Sequence, residues 1–184
     1  MALVESSMMS LGTKAPDFHL EDSVSNKMYS VSDLKSEVAT VVVFICNHCP
    51  FVHHINEKLV ELASNHQEKG LRFIAISSND VETYPEDGPV YMKQVAAKEN
   101  YPFPYLYDPT QEVAKAYGAE CTPDFFVFDA AMKCVYRGRM DETRPNKGQP
   151  TGEDLSAALD CLLAGNPVNP VQLPSVGCSI KWRS

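Results

Sequence analysis

The chain's 184 residues are 44% hydrophobic and 22% charged, the balance of a folded globular domain of about 150 residues with an appendage, and not of a disordered or collagen-like chain. Sixteen Lys and Arg against 24 Asp and Glu leave a net charge of −8, so no cationic surface is available for nucleic acid or anionic lipid. The six cysteines fall well below the roughly 8–10% of a disulfide scaffold and point to chemistry instead of stapling.

The longest apolar stretch, residues 38–46 interrupted by Thr40, is about half of a bilayer span, and no membrane helix is expected. Ahead of Lys14 stand Glu5 and a Ser/Met mixture, without the basic start and apolar core of a secretory leader. A reducing cytoplasm is therefore the expected setting. In chain order, residues 13–20 and 28–31 predict two short strands around a polar turn. The β-branched run ATVVVFI, residues 39–45, predicts a central strand buried on both faces. It leads directly into CNHCP. From Val52 the apolar residues recur at helical spacing through Ile55, Leu59, Leu62 and Ala63, with Gly70 where a C′ glycine belongs.

Residues 71–77 predict the next strand, residues 78–88 a loop, residues 89–99 a helix, and the text around Tyr105 a short strand. A strand, a helix and another strand imply a parallel crossover. A helix is expected over 111–117, closed by Gly118, and then DFFVFD and CVYRGR as a hairpin at the far end of the sheet. Thr151 is expected to open the last helix, with Asp154 in a capping box and Gly165 at its end. After it, Pro167, Pro170 and Pro174 forbid a helix and suggest an extended arm. The division read here is a domain over 1–165 and an arm over 166–184 packed on it.

The Cys46-Asn47-His48-Cys49 pair carries the chemistry. Zinc normally takes a second short-spaced pair, and none is present, whereas a buried strand before the pair and a helix after it suit thiolate chemistry. Unpaired N–H groups and the dipole at a helix N-terminus favour negative charge and lower a thiol pKa from its ordinary value near ~8.5. Cys46, at the strand exit, is expected to be the exposed nucleophile, and Cys49 the sulfur that resolves the mixed disulfide. Protonated His48 would add a positive charge beside a thiolate. Two inert buried thiols are the bland alternative.

GTKAPDFHL, VVVFICNHCPFV, GAECTPDFFVFD and YRGRMDETRP with PSVGCSIKW together resemble the thioredoxin-like superfamily, and within it the peroxiredoxin-like branch related to alkyl hydroperoxide reductase and thiol-specific antioxidant proteins. The resemblance spans nearly the whole chain. It implies an α/β thioredoxin-like fold, with a central mixed β-sheet flanked by helices, an N-terminal β-hairpin and the extended C-terminal arm. It also implies that Thr122 and a cis Pro123 lie beside the cysteine pair and hold an incoming peptide's backbone. Two departures are visible: Ile45 stands where the superfamily usually has Trp, and Cys46 stands where peroxiredoxins have Thr, their peroxide-reacting cysteine matching Cys49. An Arg to polarise peroxide is not evident before Phe125.

Cys121 precedes the Thr-Pro pair and reads either as a third redox thiol or as a small loop residue. Cys178, in the arm, reads as a resolving thiol or as packing, and Cys134 and Cys161 read as small core residues. His53, one turn after Cys49, is placed to tune that thiol or to be hydrated with His54, while His66 reads as structural. Phe103, Tyr105, Tyr107 and Tyr117 read as packing. The leading functional reading is a cytoplasmic thiol–disulfide oxidoreductase without a bound cofactor. It would act on a protein or small-molecule disulfide and be recharged by thioredoxin or glutathione. Three others stand beside it: a thiol peroxidase acting on peroxide, a copper(I) or zinc carrier using Cys46 and Cys49 with His48 or His53, and a redox-sensing binding module.

Overall fold

The computed structural model describes residues 3–184. Along them run β1 (Leu3–Glu5), β2 (His19–Asp22), β3 (Met28–Ser30), α1 (Val31–Leu34), β4 (Ala39–Phe44), α2 (Pro50–Gln67), β5 (Arg72–Ser77) and α3 (Pro89–Lys98). There follow β6 (Tyr105–Tyr107), α4 (Glu112–Tyr117), β7 (Cys121–Thr122), β8 (Asp124–Asp129), β9 (Cys134–Gly138), α5 (Glu153–Leu163) and β10 (Val176–Ser179). Seven strands form one mixed sheet in the order β3-β2-β6-β5-β4-β8-β9. Strand β5 is parallel to β4 and to β6, while β8 and the β2–β3 hairpin are antiparallel additions. A second, antiparallel sheet has the order β1-β10-β7. This is the thioredoxin-like architecture that the resemblance implies.

The centre of the sheet follows from the sequence of β4. All six of its residues are buried, and successive side chains point to opposite faces. Val41 and Val43 join a core with Ile55, Leu59 and Leu62 of α2 and Leu155 and Leu159 of α5. Val42 and Phe44 face the other way, onto Val113, Ala114 and Tyr117 of α4 and Phe126 and Phe128 of β8. Each fully buried Val, Leu or Phe contributes about 1.5–3 kcal/mol, so both layers are anchored on the strand that leads to Cys46. Helix α2 begins with Pro50 at N1, which needs no N–H donor there, and Cys49 is its N-cap.

Several boundaries differ from the sequence expectation. Residues 13–18 are not a strand; Pro16 interrupts them, and Gly12 and Ala15 donate to the carbonyls of Cys134 and Met132 alongside β9. Val31 starts a short helix, its start fixed where Asp33 Oδ2 accepts the Ser30 N–H at 2.8 Å. Helix α2 ends at Gln67 with Glu68 as C-cap, so Gly70, at φ +94, lies two residues further on. Helix α5 is capped by Gly152 at φ +69, not by Thr151, because Asp141 Oδ2 accepts the N–H groups of Thr151 and Gly152 at 2.9 and 2.7 Å. Asp154 serves no capping box; it pairs with Arg139 at 2.6 Å.

The C-terminal segment is more than an arm lying on the surface. Its residues 176–179 insert as β10 between β1 and β7, with Cys178 opposite both Leu3 and Thr122. Two glycines permit this approach: a Cβ on Gly138 would come 2.0 Å from the Leu173 carbonyl, and one on Gly177 would come 2.1 Å from the Thr122 carbonyl. Beyond the strand, Gln111 Nε2 donates to the Lys181 carbonyl at 2.8 Å, and its Oε1 accepts the Arg183 N–H at 2.9 Å. Among the described residues no helix is long and apolar enough to cross a membrane.

Candidate active site

Strand β4 ends two residues before Cys46, and α2 starts one residue after Cys49, so the four-residue motif is the strand-to-helix turn itself. The peptide Thr122–Pro123 is cis, as the resemblance implies, and it leads into β8, the neighbour of β4, which places it beside this turn. Thr122 Oγ1 lies 3.5 Å from Cys46 Sγ, and the Thr122 carbonyl lies 3.3 Å from Cys49 Sγ. The structure thus brings together Cys46, Cys49, Thr122 and Pro123.

Cys46 is not the exposed member that its place at the strand exit suggests. It is 2% exposed, and Cys49 is fully buried. Their ionisation also runs opposite to the expectation. The Cys46 thiol, hydrogen-bonded to Cys49, buried, and facing the Asp87 carboxylate, is held well above its ordinary value. Cys49 is lowered to about 5, first by the hydrogen bond from Cys46 and then by Cys178, the Thr122 side chain and the Val52 backbone, against the opposing effect of burial. The two shifts are first of all mutual, each thiol displacing the other in the opposite direction; burial and the Asp87 carboxylate add to the rise at Cys46, and the Val52 backbone in the first turn of α2 adds to the fall at Cys49.

That charge is the residue the sequence did not disclose. Asp87 lies in the turn Pro85–Asp87, inside the stretch expected to be a loop, and is fully buried. Its Oδ1 accepts the backbone N–H groups of Asn47 and His48 at 2.8 and 3.2 Å, and its Oδ2 meets His48 Nδ1 at 2.6 Å and Asn79 Nδ2 at 2.8 Å. The His48 ring stacks on Tyr84, with centroids 5.3 Å apart. Asn47 donates to the Glu86 carbonyl and accepts from the Tyr105 hydroxyl at 3.0 Å, so Tyr105, expected only to pack, also fixes the motif. No periodicity betrays a buried carboxylate within a polar loop.

The remaining cysteines and histidines separate cleanly. Cys178 Sγ is 2.9 Å from Cys49 Sγ. Cys121 is buried, but its thiol contacts the Pro123 carbonyl at 3.8 Å and burial drives it strongly towards the neutral form. Neighbouring strand residues face opposite sides, so with Thr122 on the Cys46–Cys49 side, Cys121 is turned away. Cys134 is buried, as expected, whereas Cys161 is only half-buried, on the rim of a hollow with Val168 and Leu173. His53 bonds the Asn47 carbonyl, not Cys49, and His54 meets Thr143 Oγ1 at 3.0 Å. His66 is structural, with Nδ1 2.8 Å from the Leu62 carbonyl.

The ligand atoms of Cys46, His48 and Asp87 lie within 4.8 Å of one another, the one grouping among the described residues with the makings of a metal site near the thiols. It fits a cation poorly. A carboxylate offers about four lone-pair positions, and all four of Asp87's are occupied by donors.

Residues 11–137 match the model of the AhpC/TSA family. The chain belongs to that family. Among solved structures, an uncharacterized conserved protein from Geobacillus kaustophilus is 58% identical with a TM-score of 0.97, over 100% of this chain and 97% of that one. A hypothetical protein from Sinorhizobium meliloti 1021 is 43% identical with a TM-score of 0.94, over 98% of each. A thiol:disulfide interchange protein of the thioredoxin family from Chlorobium tepidum TLS shares the fold at 20% identity and a TM-score of 0.65, over 85% of this chain and 99% of that one. No curated protein sequence matches the chain. As an AhpC/TSA family member with a closed thiol cluster, the protein has a thiol-based redox role, with a thiol or disulfide substrate in the general sense.

Proposed function

We propose that the protein is a thiol–disulfide oxidoreductase whose attacking sulfur is Cys49 and whose resolving partner is Cys46. The observation that supports this most is the pair itself, two buried thiols in the turn that opens α2, Cys46 Sγ 3.5 Å from Thr122 Oγ1 and Cys49 Sγ 3.3 Å from the Thr122 carbonyl, with the Cys49 pKa lowered and that of Cys46 raised. The Cys49 thiolate attacks a substrate disulfide and releases one thiolate half. Cys46 then attacks Cys49 in the mixed disulfide, loses its proton, and releases the second half as Cys46–Cys49 closes. Thioredoxin or glutathione restores the dithiol. Asp87 holds the turn in place through two backbone N–H groups, and Thr122 lines both sulfurs.

The test is exchange with a glutathionylated protein or insulin. Cys49→Ser is expected to abolish turnover, and Cys46→Ser/Cys178→Ala, which removes both sulfurs beside Cys49, to stop at a trappable mixed disulfide on Cys49. A Cys49→Ser variant that turns over at the wild-type rate overturns the reading. A second reading, thiol peroxidase, is favoured by the same lowered Cys49 thiol, since a thiolate attacks peroxide to give a sulfenic acid that a neighbouring thiol resolves. Rapid-mixing measurement of peroxide consumption decides it: a rate no faster than that of cysteine in solution eliminates the peroxidase.

A further inference from the structure

Cys49 has a second sulfur against it. Cys178 Sγ lies 2.9 Å away, contributed by a strand 129 residues further along the chain, and closing that gap to the ~2.05 Å of a disulfide needs a movement of under about 1 Å. The contact is built into the fold. β10 is paired on both edges, to β1 and β7, and its register sets Cys178 opposite Thr122, the residue that also lines Cys46. Gly177 lets the two backbones meet where any Cβ would strike the Thr122 carbonyl. Ser175 is tied to Ser6 in both directions, its N–H to Oγ at 2.7 Å and its carbonyl to the Ser6 N–H at 3.0 Å, and Ile180 N–H donates to the Glu120 carbonyl at 3.0 Å. Anchors on both sides of Cys178 thus hold it in place.

From this juxtaposition we infer that Cys178 is a second resolving thiol, so that Cys49 pivots between two disulfides, Cys49–Cys178 and Cys46–Cys49. The inference rests on the reading of Cys49 as the attacking sulfur. Cys49 thiolate first takes one half of a disulfide substrate RS–SR′, forming Cys49–S–S–R and releasing R′S⁻. Cys178 attacks Cys49 Sγ, forms Cys49–Cys178, and releases R as RSH with the proton Cys178 gives up. Cys46 then attacks the same Cys49 sulfur, which forms Cys46–Cys49 and returns Cys178 to the thiol, the proton passing from Cys46 to Cys178. The substrate disulfide is the oxidant throughout, and each exchange keeps one disulfide in the protein.

The decisive experiment is oxidation of full-length Cys46→Ser with oxidised glutathione, followed by trapping of thiols in acid and peptide mapping. The expected product is a Cys49–Cys178 disulfide with two glutathione thiols released per chain. One thiol released, with glutathione retained on Cys49, or pairing of Cys49 with Cys121, overturns the inference. Cys46→Ser/Cys178→Ala is expected to release only one; release of two also overturns it. Should Cys46→Ser fail to fold, wild-type protein quenched at early times replaces it: a transient Cys49–Cys178 species supports the inference, and Cys46–Cys49 forming with no such species at any time overturns it. Failure of the dithiol reading looks different: wild-type protein that ends with Cys49–Cys178 and never forms Cys46–Cys49 discards Cys46 as the final partner and leaves Cys178 in place.

Discussion

His48 Nδ1 and Asp87 Oδ2 are 2.6 Å apart, and the same carboxylate bonds the peptide N–H groups of His48 and Asn47. One side chain therefore sets both the orientation of the imidazole and the path of the backbone between the two cysteines. A buried carboxylate with four donors is costly to alter, because a donor left unpaired away from water loses its full hydration.

Asp87→Asn is expected to cost about 1–3 kcal/mol, since the amide nitrogen turns a donor towards either His48 Nδ1 or Asn79. It also removes the negative charge facing Cys46, so the Cys46 thiol should titrate lower than in the wild type. Chemical denaturation checks the first effect and a pH series of site-resolved alkylation the second. An unchanged Cys46 titration would show that the charge is not felt at the sulfur.

Cys49 is expected to be ionised across the neutral range. With its pKa lowered to about 5, the thiolate absorbance of the reduced protein should carry a step centred near pH 5, where an ordinary thiol would titrate near ~8.5. Replacing the principal hydrogen-bond donor, Cys46→Ala, should move that step upward. Ultraviolet titration of the two proteins, with Cys49→Ser as the blank, measures it.

Asp124 gives a pH dependence of the opposite sign. It is fully buried, and burial pushes its carboxyl up to about 8. Its folded pKa lies above the ~3.9 of an unfolded Asp, so its contribution is fully present below about pH 4, declines as pH rises, and is lost above about pH 8. Asp124→Asn should flatten this slope and gain on the wild type between pH 5 and 9. Denaturation midpoints across that range check it, and parallel curves for the two proteins would remove Asp124 as the source.

Leu59 is fully buried between the sheet and α5. Leu59→Ala should cost about 2–5 kcal/mol, the transfer loss plus a cavity, as measured by chemical denaturation.

The regular elements could be read because their physics is local. Residues 39–45 are β-branched and apolar throughout, and the α2 stripe repeats at helical spacing, so the strand-turn-helix that carries Cys46 and Cys49 was visible in the sequence. What could not be read depends on contacts far apart in sequence. β7 is two residues long and β10 four, too short for a period to appear, and β7 exists because β10, itself held by β1, supplies its hydrogen bonds. The ionisation of the two thiols depends on contacts of the same kind: besides their mutual interaction and burial, Cys46 faces Asp87, 41 positions further along, whose burial is a property of the folded turn and not of its composition.

The position of β10 couples the two ends of the molecule. Leu3–Glu5 clamps one edge of the strand whose other edge covers Thr122. A polypeptide seeking to lie along that edge of Thr122 must first unlatch the tail, while a compact disulfide or peroxide need not. Shortening either terminus is thus a way to free the edge of Thr122 that β10 covers.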